Sequence, residues 1–340
     1  MEFEILKMEQ VGGVNRIFVE EVLPATSIVW EERYNDIGKM QAVFPRTDIT
    51  VSKIQTGKFA LVEGTRRLMY IYGKKVTDTE VWAYGYEAKA LLQKQAMLNA
   101  GTNDGEVNVS AAVVAALTLY NGLSWCNAPQ SYDWSNLGTK NLDGLEYYSV
   151  YEYVKKCVAL SDSGWEAEYQ YDGTVTLKAL HGVDRTNSLV LSTGLGNISG
   201  LIYTEDDQSY MSRVYAVGDD DGTTVLVYDE ESNPANETYS AYLDCRLEFP
   251  RPEGMTSADY EDALRTRAHM SLIARHAQRK LNLKNVDPDT LGVDLGLGDV
   301  LSVQLPELNL TATMRVVCIR RTMENGLASI TMELSTVTLS

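Results

Sequence analysis

Short apolar runs broken by turn residues dominate the chain. Ile17 to Val22, Ser27 to Glu32, Gln41 to Phe44, Leu68 to Tyr72 and Val81 to Tyr84 recur at the spacing of strands in a small sandwich or barrel. The period then lengthens. From Tyr86 to Leu98, good helix formers carry apolar residues three and four apart and stop before Gly101, which predicts a helix. Two more helices are predicted over Ser110 to Tyr120 and Ser149 to Leu160, the second with Val150, Val154, Cys157 and Val158 on one face. Between them, Gly122 to Asp143 has no period and reads as a loop. Trp165 to Tyr171 alternates large residues with Glu166, Glu168 and Gln170. Asp172-Gly173 supplies a turn, and Thr174 to Lys178 returns as a hairpin whose two glutamates are expected on a solvated face.

Strands resume at Leu189 to Leu191, Gly200 to Tyr203, Arg213 to Val217, Thr224 to Tyr228 and Ala241 to Leu247, with Gly218-Asp-Asp-Asp-Gly222 as a hairpin end. A long helix is predicted from Thr256 to about Leu283. Thr256 and Asp259 form a capping signature, and Tyr260, Leu264, Ala268, Leu272 and Ala277 an apolar stripe. Val300 to Leu305, Thr311 to Arg320 and Leu327 to Leu334, with an Asn325-Gly326 turn, close the pattern as strands. The fold class is α+β and mainly β, with two antiparallel β domains separated by an α/β insertion.

Composition narrows function by exclusion. At 340 residues, two or three domains are expected. No apolar stretch is long enough to span a bilayer, and the start, Met1 to Ile5, lacks the features of a secretory signal, so the protein is expected to be made and kept in a cytoplasm unless released by lysis. Cys126, Cys157, Cys245 and Cys318 form no C-x-x-C pair and are read as scattered reduced thiols. A net charge of −17 opposes tight binding to nucleic acid. It is compatible with plain solubility or with a surface past which DNA slides.

Candidate chemistry is sparse. His269 and His276 lie seven residues apart on one predicted helix, roughly 10 Å along its axis and too far to share a metal. His181 is the third histidine, and no metalloprotease, nucleophile-elbow or P-loop motif is present. Ser192 to Gly196 is glycine-rich but lacks the following Lys of a phosphate loop. Asp219, Asp220 and Asp221 fit a solvated turn, whereas Asp287, Asp289, Asp294 and Asp299 surround a glycine-rich link. No catalytic residue, cofactor or metal site is assigned. Trp125, Tyr132 and Trp134, in the aromatic loop, are candidate contacts for carbohydrate or a neighbouring subunit.

Three stretches taken together resemble the Siphovirus Gp37-like family of phage tail and baseplate hub proteins, similar also to the hub portion of tail-associated lysins. Trp30-Glu-Glu-Arg-Tyr-Asn-Asp-Ile-Gly-Lys-Met-Gln-Ala-Val-Phe-Pro45 resembles the early W-x-x-R-Y-N-x-x-G stretch. Asp184-Arg-Thr186, leading into Leu191 to Asn197 and Tyr203 to Tyr210, is similar to the D-R-T and G-N region. Leu291 to Val303 looks like the L-G-D-x-V-x-V signature.

The resemblance implies two tail-tube-like β-barrel domains, one over residues 1–90 and one over 186–250 with 292–340. It also implies an α/β insertion over 91–185 and a long-helix insertion over 251–291. It implies a homotrimeric, pseudo-sixfold ring at the virion tail tip, made in the host bacterial cytoplasm, joining the tail tube or distal tail protein to other tip proteins and letting DNA pass. Many relatives carry a C-terminal lysin or receptor-binding extension; none is expected here, where Ser340 follows the last predicted strand. The competing expectations are a peptidoglycan-degrading tail enzyme and a carbohydrate-binding adhesion module built on the three aromatics.

Overall fold

The computed structural model describes residues 2–97, 106–119, 131–142, 149–198, 201–206, 208–230, 239–275, 278–284, 295–324 and 326–337. The N-terminal strands are β1 (Phe3–Val11), β2 (Val14–Leu23), β3 (Ser27–Arg33), β4 (Lys39–Pro45), β5 (Phe59–Val62), β6 (Met69–Val76) and β7 (Glu80–Glu87), with a one-turn helix α1 (Asp48–Lys53) capped by Thr47. They pair antiparallel in the order β3-β4-β7-β6-β5-β1-β2. Alternation decides their faces. Val81, Ala83 and Gly85 of β7 point into a core with Phe3, Ile5, Ile28, Trp30, Phe44 and Ile71, while Trp82, Tyr84 and Tyr86 point away. Phe3 packs edge-on against both Trp30 and Phe44, so one aromatic triad fills the centre of this sheet's inner face.

Residues 106–180 form the insertion: β8 (Glu106–Asn108), α2 (Val109–Leu119), β9 (Ser131–Asp133), β10 (Thr139–Asn141), α3 (Val150–Leu160), β11 (Gly164–Tyr169) and β12 (Val175–Leu180). The predicted hairpin and the last two predicted helices are present, and Ser149 caps α3 as its side chain accepts from the Glu152 amide. Two expectations fail. Tyr86 to Leu98 is not an α-helix, because β7 runs through Glu87 and only Ala88–Lys94 coils, as a 3-10 turn whose apolar side is drawn into the insertion core. The stretch read as a loop holds the short strands β9 and β10, which pair with β12 and β8.

The C-terminal strands are β13 (Val190–Ser192), β14 (Ile202–Asp206), β18 (Gln278–Lys284), β19 (Val300–Leu305), β20 (Leu310–Glu324) and β21 (Leu327–Thr336). They continue the N-terminal sheet in the order β14-β18-β21-β20-β3, with β13 and β19 as a side branch. The 15-residue β20 makes the join. β21 pairs along one of its edges from Met314 to Glu324, and the other edge is shared end to end by β19 over Leu310–Arg315 and β3 over Cys318–Glu324. Among the described residues the result is one large, mainly antiparallel sheet with an open hydrogen-bonded path, β2 and β14 at its ends.

Between β14 and β18 stands a small unit of β15 (Arg213–Asp220), β16 (Thr223–Glu230), β17 (Ser240–Asp244) and α4 (Ser257–Ile273), closed over its own core of Val214, Ala216, Val227, Tyr260, Leu264, Ala268 and Leu272. Helix α4 ends about ten residues before the predicted limit. Leu281 and Leu283, two residues apart and so on opposite sides of a helix, instead belong to strand β18 and face the C-terminal core. Strand pairing on both sides of β18 outweighs local helix propensity there.

Candidate functional site

The three family-like stretches, far apart in sequence, meet at one junction. Tyr34, after β3, is 6% exposed, and its hydroxyl donates to the carbonyls of Leu180 at 2.9 Å and Asp162 at 3.1 Å. Its backbone amide donates to Val317 of β20 and its carbonyl accepts from Trp165 of β11. Arg315 of β20 lies over its ring, 5.1 Å from the centroid, and holds Asp162 at 2.6 Å. Gly298, at φ +92°, fits beneath the same ring, where an added Cβ would lie 2.6 Å from the ring carbon Cε2. Asp299, next in the chain, is 3% exposed and accepts from the Val183 amide at 2.8 Å, Arg185 Nε at 2.9 Å and the Gly296 amide at 3.1 Å. Asn197 pins the Ser192–Asn197 turn, accepting from the Ser192 amide and donating to the Val190 carbonyl. Tyr34, Arg185, Gly298 and Asp299 thus bear on the joint between the sheet halves and the insertion, while Asn197 fixes a turn of its own stretch.

Beside the joint runs a buried charge network. Arg67 Nε lies 2.6 Å from Glu166 and 3.8 Å from Glu32, and its Nη1 lies 3.2 Å from Glu87 and donates to the Arg33 carbonyl at 2.9 Å. Glu32 also accepts from Trp30 Nε1 and pairs with Arg321 of β20 at 3.0 Å. Lys89 is fully buried, 2.8 Å from Glu87 and donating to the Trp165 carbonyl at 2.9 Å. Burial, aided by the Arg67 charge, holds its ammonium below the ordinary value of 10.5 despite Glu87. Glu31 joins Arg33 at 2.6 Å and Arg320 at 3.1 Å; burial is the largest single influence on it, but the two arginines together outweigh that and hold its carboxyl below the ordinary range.

Such a network fixes a unique arrangement more than it adds net stability. Deleting one member strands the others in low dielectric at a cost of about 3–5 kcal/mol. Its centre, Arg67, Glu87 and Lys89, is buried, while Arg33 and Arg320 reach solvent at its edge. An open polar pocket of about 330 Å³ adjoins it, lined by Glu31, Arg33, Asp36, Lys39, Tyr151 and Lys155 among others.

Glu166 is 8% exposed and inside this network, which overturns the expected solvated face for Glu166 and Glu168. Their hairpin is covered on both sides, by the insertion core on the Trp165 face and by Arg67 and Lys178 on the glutamate face. Trp134 is 3% exposed and packs 6.2 Å from Trp165 in the insertion core, so it is an anchor without an exposed ring face. Tyr132 lies on β9, and Trp125 lies outside the described residues, as do His276, Asp287, Asp289 and Asp294. Asp220 and Asp221 pair with Arg251, and His269 pairs with Asp229 at 2.7 Å. His181 lies between Ser163 Oγ and the Ser135 carbonyl. Among the described residues no cluster of His, Cys, Asp and Glu could hold a metal ion. Arg67, Glu87 and Lys89 were missed, although a charge set within apolar runs such as Leu68–Ile71 and Ala88–Leu92 is the signal of a buried pair.

The family described as Siphovirus ReqiPepy6 Gp37-like protein matches residues 17–334. The chain belongs to that family. Its fold is shared with solved tail proteins at low sequence identity. The tail protein from Neisseria meningitidis MC58 superposes with a TM-score of 0.59 at 13% identity, over 98% of this chain and 96% of that one. The 43 kDa tail protein of prophage MuSo2 from Shewanella oneidensis gives 0.60 at 11%, over 98% of each. Prophage tail protein gp18 from Listeria monocytogenes EGD-e gives 0.59 at 9%, over 99% and 95%. No curated protein matches the chain in sequence. In this Gp37-like protein no described helix is long and apolar enough to cross a membrane.

Proposed function

We propose that this Gp37-like protein is a structural subunit of a phage-type tail, placed at the tip or baseplate, and that three copies close a ring between the tail tube and the tip proteins with a bore for DNA. The observation that carries the reading is the family match across almost the whole chain, with Tyr34, Arg185, Gly298 and Asp299 of the family-like stretches packed into an internal joint and not lining an open cleft. Two apolar cores served by one sheet, one inside β1 to β7 and one inside the C-terminal strands, support two barrel units per copy, over residues 1–90 and over 186–250 with 292–340. Three copies would then place six such units around an axis. Residues 91–185 and 251–291 would be carried outside that ring. The excess of acidic residues would keep a bore from trapping passing DNA.

Light scattering coupled to size exclusion, followed by negative-stain imaging, tests this. A trimer mass with annular particles is expected. A monomer at high concentration that fails to add to tail-tube protein would sink the proposal.

A further inference from the structure

The insertion covers only part of the outer face of the first sheet. Tyr70 and Tyr86 pack partly against the insertion core, and beyond them the same face continues with the exposed Tyr72 and the half-buried Tyr84 and Trp82. Tyr72 is 52% exposed. Three lysines share this face by register or contact: Lys39 opposite Tyr86, Lys75 opposite Trp82, and Lys94 over the Tyr70 ring. None of the three lies within ion-pairing distance of a described carboxylate, in a chain whose net charge is −17.

The ring geometry says what this face suits. Tyr72 and Tyr86 stack on each other at 5.1 Å and 17°, and Trp82 and Tyr84 at 6.3 Å and 22°. Lys75 Nζ sits 5.6 Å from the Trp82 centroid and Lys94 Nζ 5.7 Å from that of Tyr70. Each of these rings therefore has a face covered by another ring or by an ammonium group. This surface offers ring edges, phenol hydroxyls and unneutralised ammonium groups, which match an acidic protein surface. Pairing with itself about a twofold axis would gather the lysines of both copies in one interface with no carboxylate of this face between them, which opposes it.

We propose that the face carrying Tyr72, Trp82, Tyr84, Lys39 and Lys75 is the surface on which the acidic exterior of a second copy docks head to tail. The inference rests on the ring reading above and adds the surface that would close it. A heterologous contact of this kind generates a cyclic oligomer, whereas a self-complementary one would stop at a dimer.

The test compares the full chain with the double variant K39E/K75E and the control K140E, which reverses an exposed lysine on the insertion. Native mass is read across a dilution and salt series. The concentration for half-dissociation should rise about tenfold or more in K39E/K75E and stay put in K140E. Added salt should weaken the wild-type oligomer, and hydroxyl-radical footprinting should find Tyr72 protected in it. A wild-type oligomer that K39E/K75E leaves unchanged, with Tyr72 unprotected, overturns the docking surface and leaves the ring standing. A monomeric wild type overturns both. Binding of a duplex DNA probe that K39E/K75E abolishes, with no change in mass, assigns the face to a polyanion and overturns the proposal.

Discussion

Glu31 shows how one carboxylate joins distant parts of the chain. It accepts from Arg33 on its own strand and from Arg320 on β20, and the two guanidinium groups hold it below its ordinary value of 4.5 against the opposing effect of burial. Glu20 is lowered in the same direction, first by Lys58 at its side chain and then by Lys53. A carboxylate whose folded value is depressed contributes stability that is present above its unfolded value, here 4.5, and is lost as the pH falls through the lowered folded value. Urea midpoints should therefore hold between neutral pH and about pH 5 and decline steadily below it. E31Q should flatten that acid limb, since the amide has no proton to gain, while lowering the plateau. An E31Q limb as steep as the wild type would show that Glu31 is not part of the linkage.

At the scale of elements, close approaches set the tolerance of the joint. Gly298 and Gly222 both sit at positive φ, at +92° and +85°, yet an added Cβ meets the Tyr34 ring at the first and nothing within 4 Å at the second. G222A should cost about 1 kcal/mol, the backbone penalty alone. G298A should cost several times as much, because Tyr34 is fixed by β11, β12 and β20 and cannot step aside. Chemical denaturation of the two variants checks the difference.

The same joint marks the limit of what the sequence discloses. Strands with clean alternation, such as Trp165 to Tyr169, and helices with a capping serine or threonine, such as α3 and α4, were legible because their signals are local. The helix expected over Tyr86 to Leu98 failed, as did the far end of the one expected to reach Leu283. In the first, an apolar spacing suited to a helix was taken up by the insertion core; in the second, Leu281 and Leu283 alternate as a strand does, and β14 and β21 pair on either side of them. Glu166 was misplaced for a related reason. Alternation says that it leaves the Trp165 face, but not that Arg67 waits on the other side.

For the whole molecule, separate cores mean separate openings. Cys157 lies in the insertion core, Cys318 at the β3–β20 seam and Cys245 in the α4 unit, and all three are buried thiols. Burial pushes the thiols of Cys157 and Cys318 up to about 12, so neither reacts with alkylating agents near neutral pH until it meets water. The α4 unit holds its own core and touches the body through few elements. In rising urea, Cys245 should therefore be alkylated first, with Cys157 and Cys318 following together at a higher concentration, as read by peptide mass spectrometry. Simultaneous labelling of all three would mean that the units unfold as one.

The seam between β3 and β20 also sets a timetable. Glu31 and Arg320 are partners 289 residues apart. A ribosome adding roughly 5–20 residues per second takes tens of seconds to bridge that gap. For that time, β3 emerges with an unsatisfied row of amides and carbonyls beside Trp30, a template for a wrong strand. Strand β20 is thus the one that seals the first sheet. A nascent chain cannot present a finished edge until β20 has emerged, so assembly with other copies before that point would have to proceed without one of its walls.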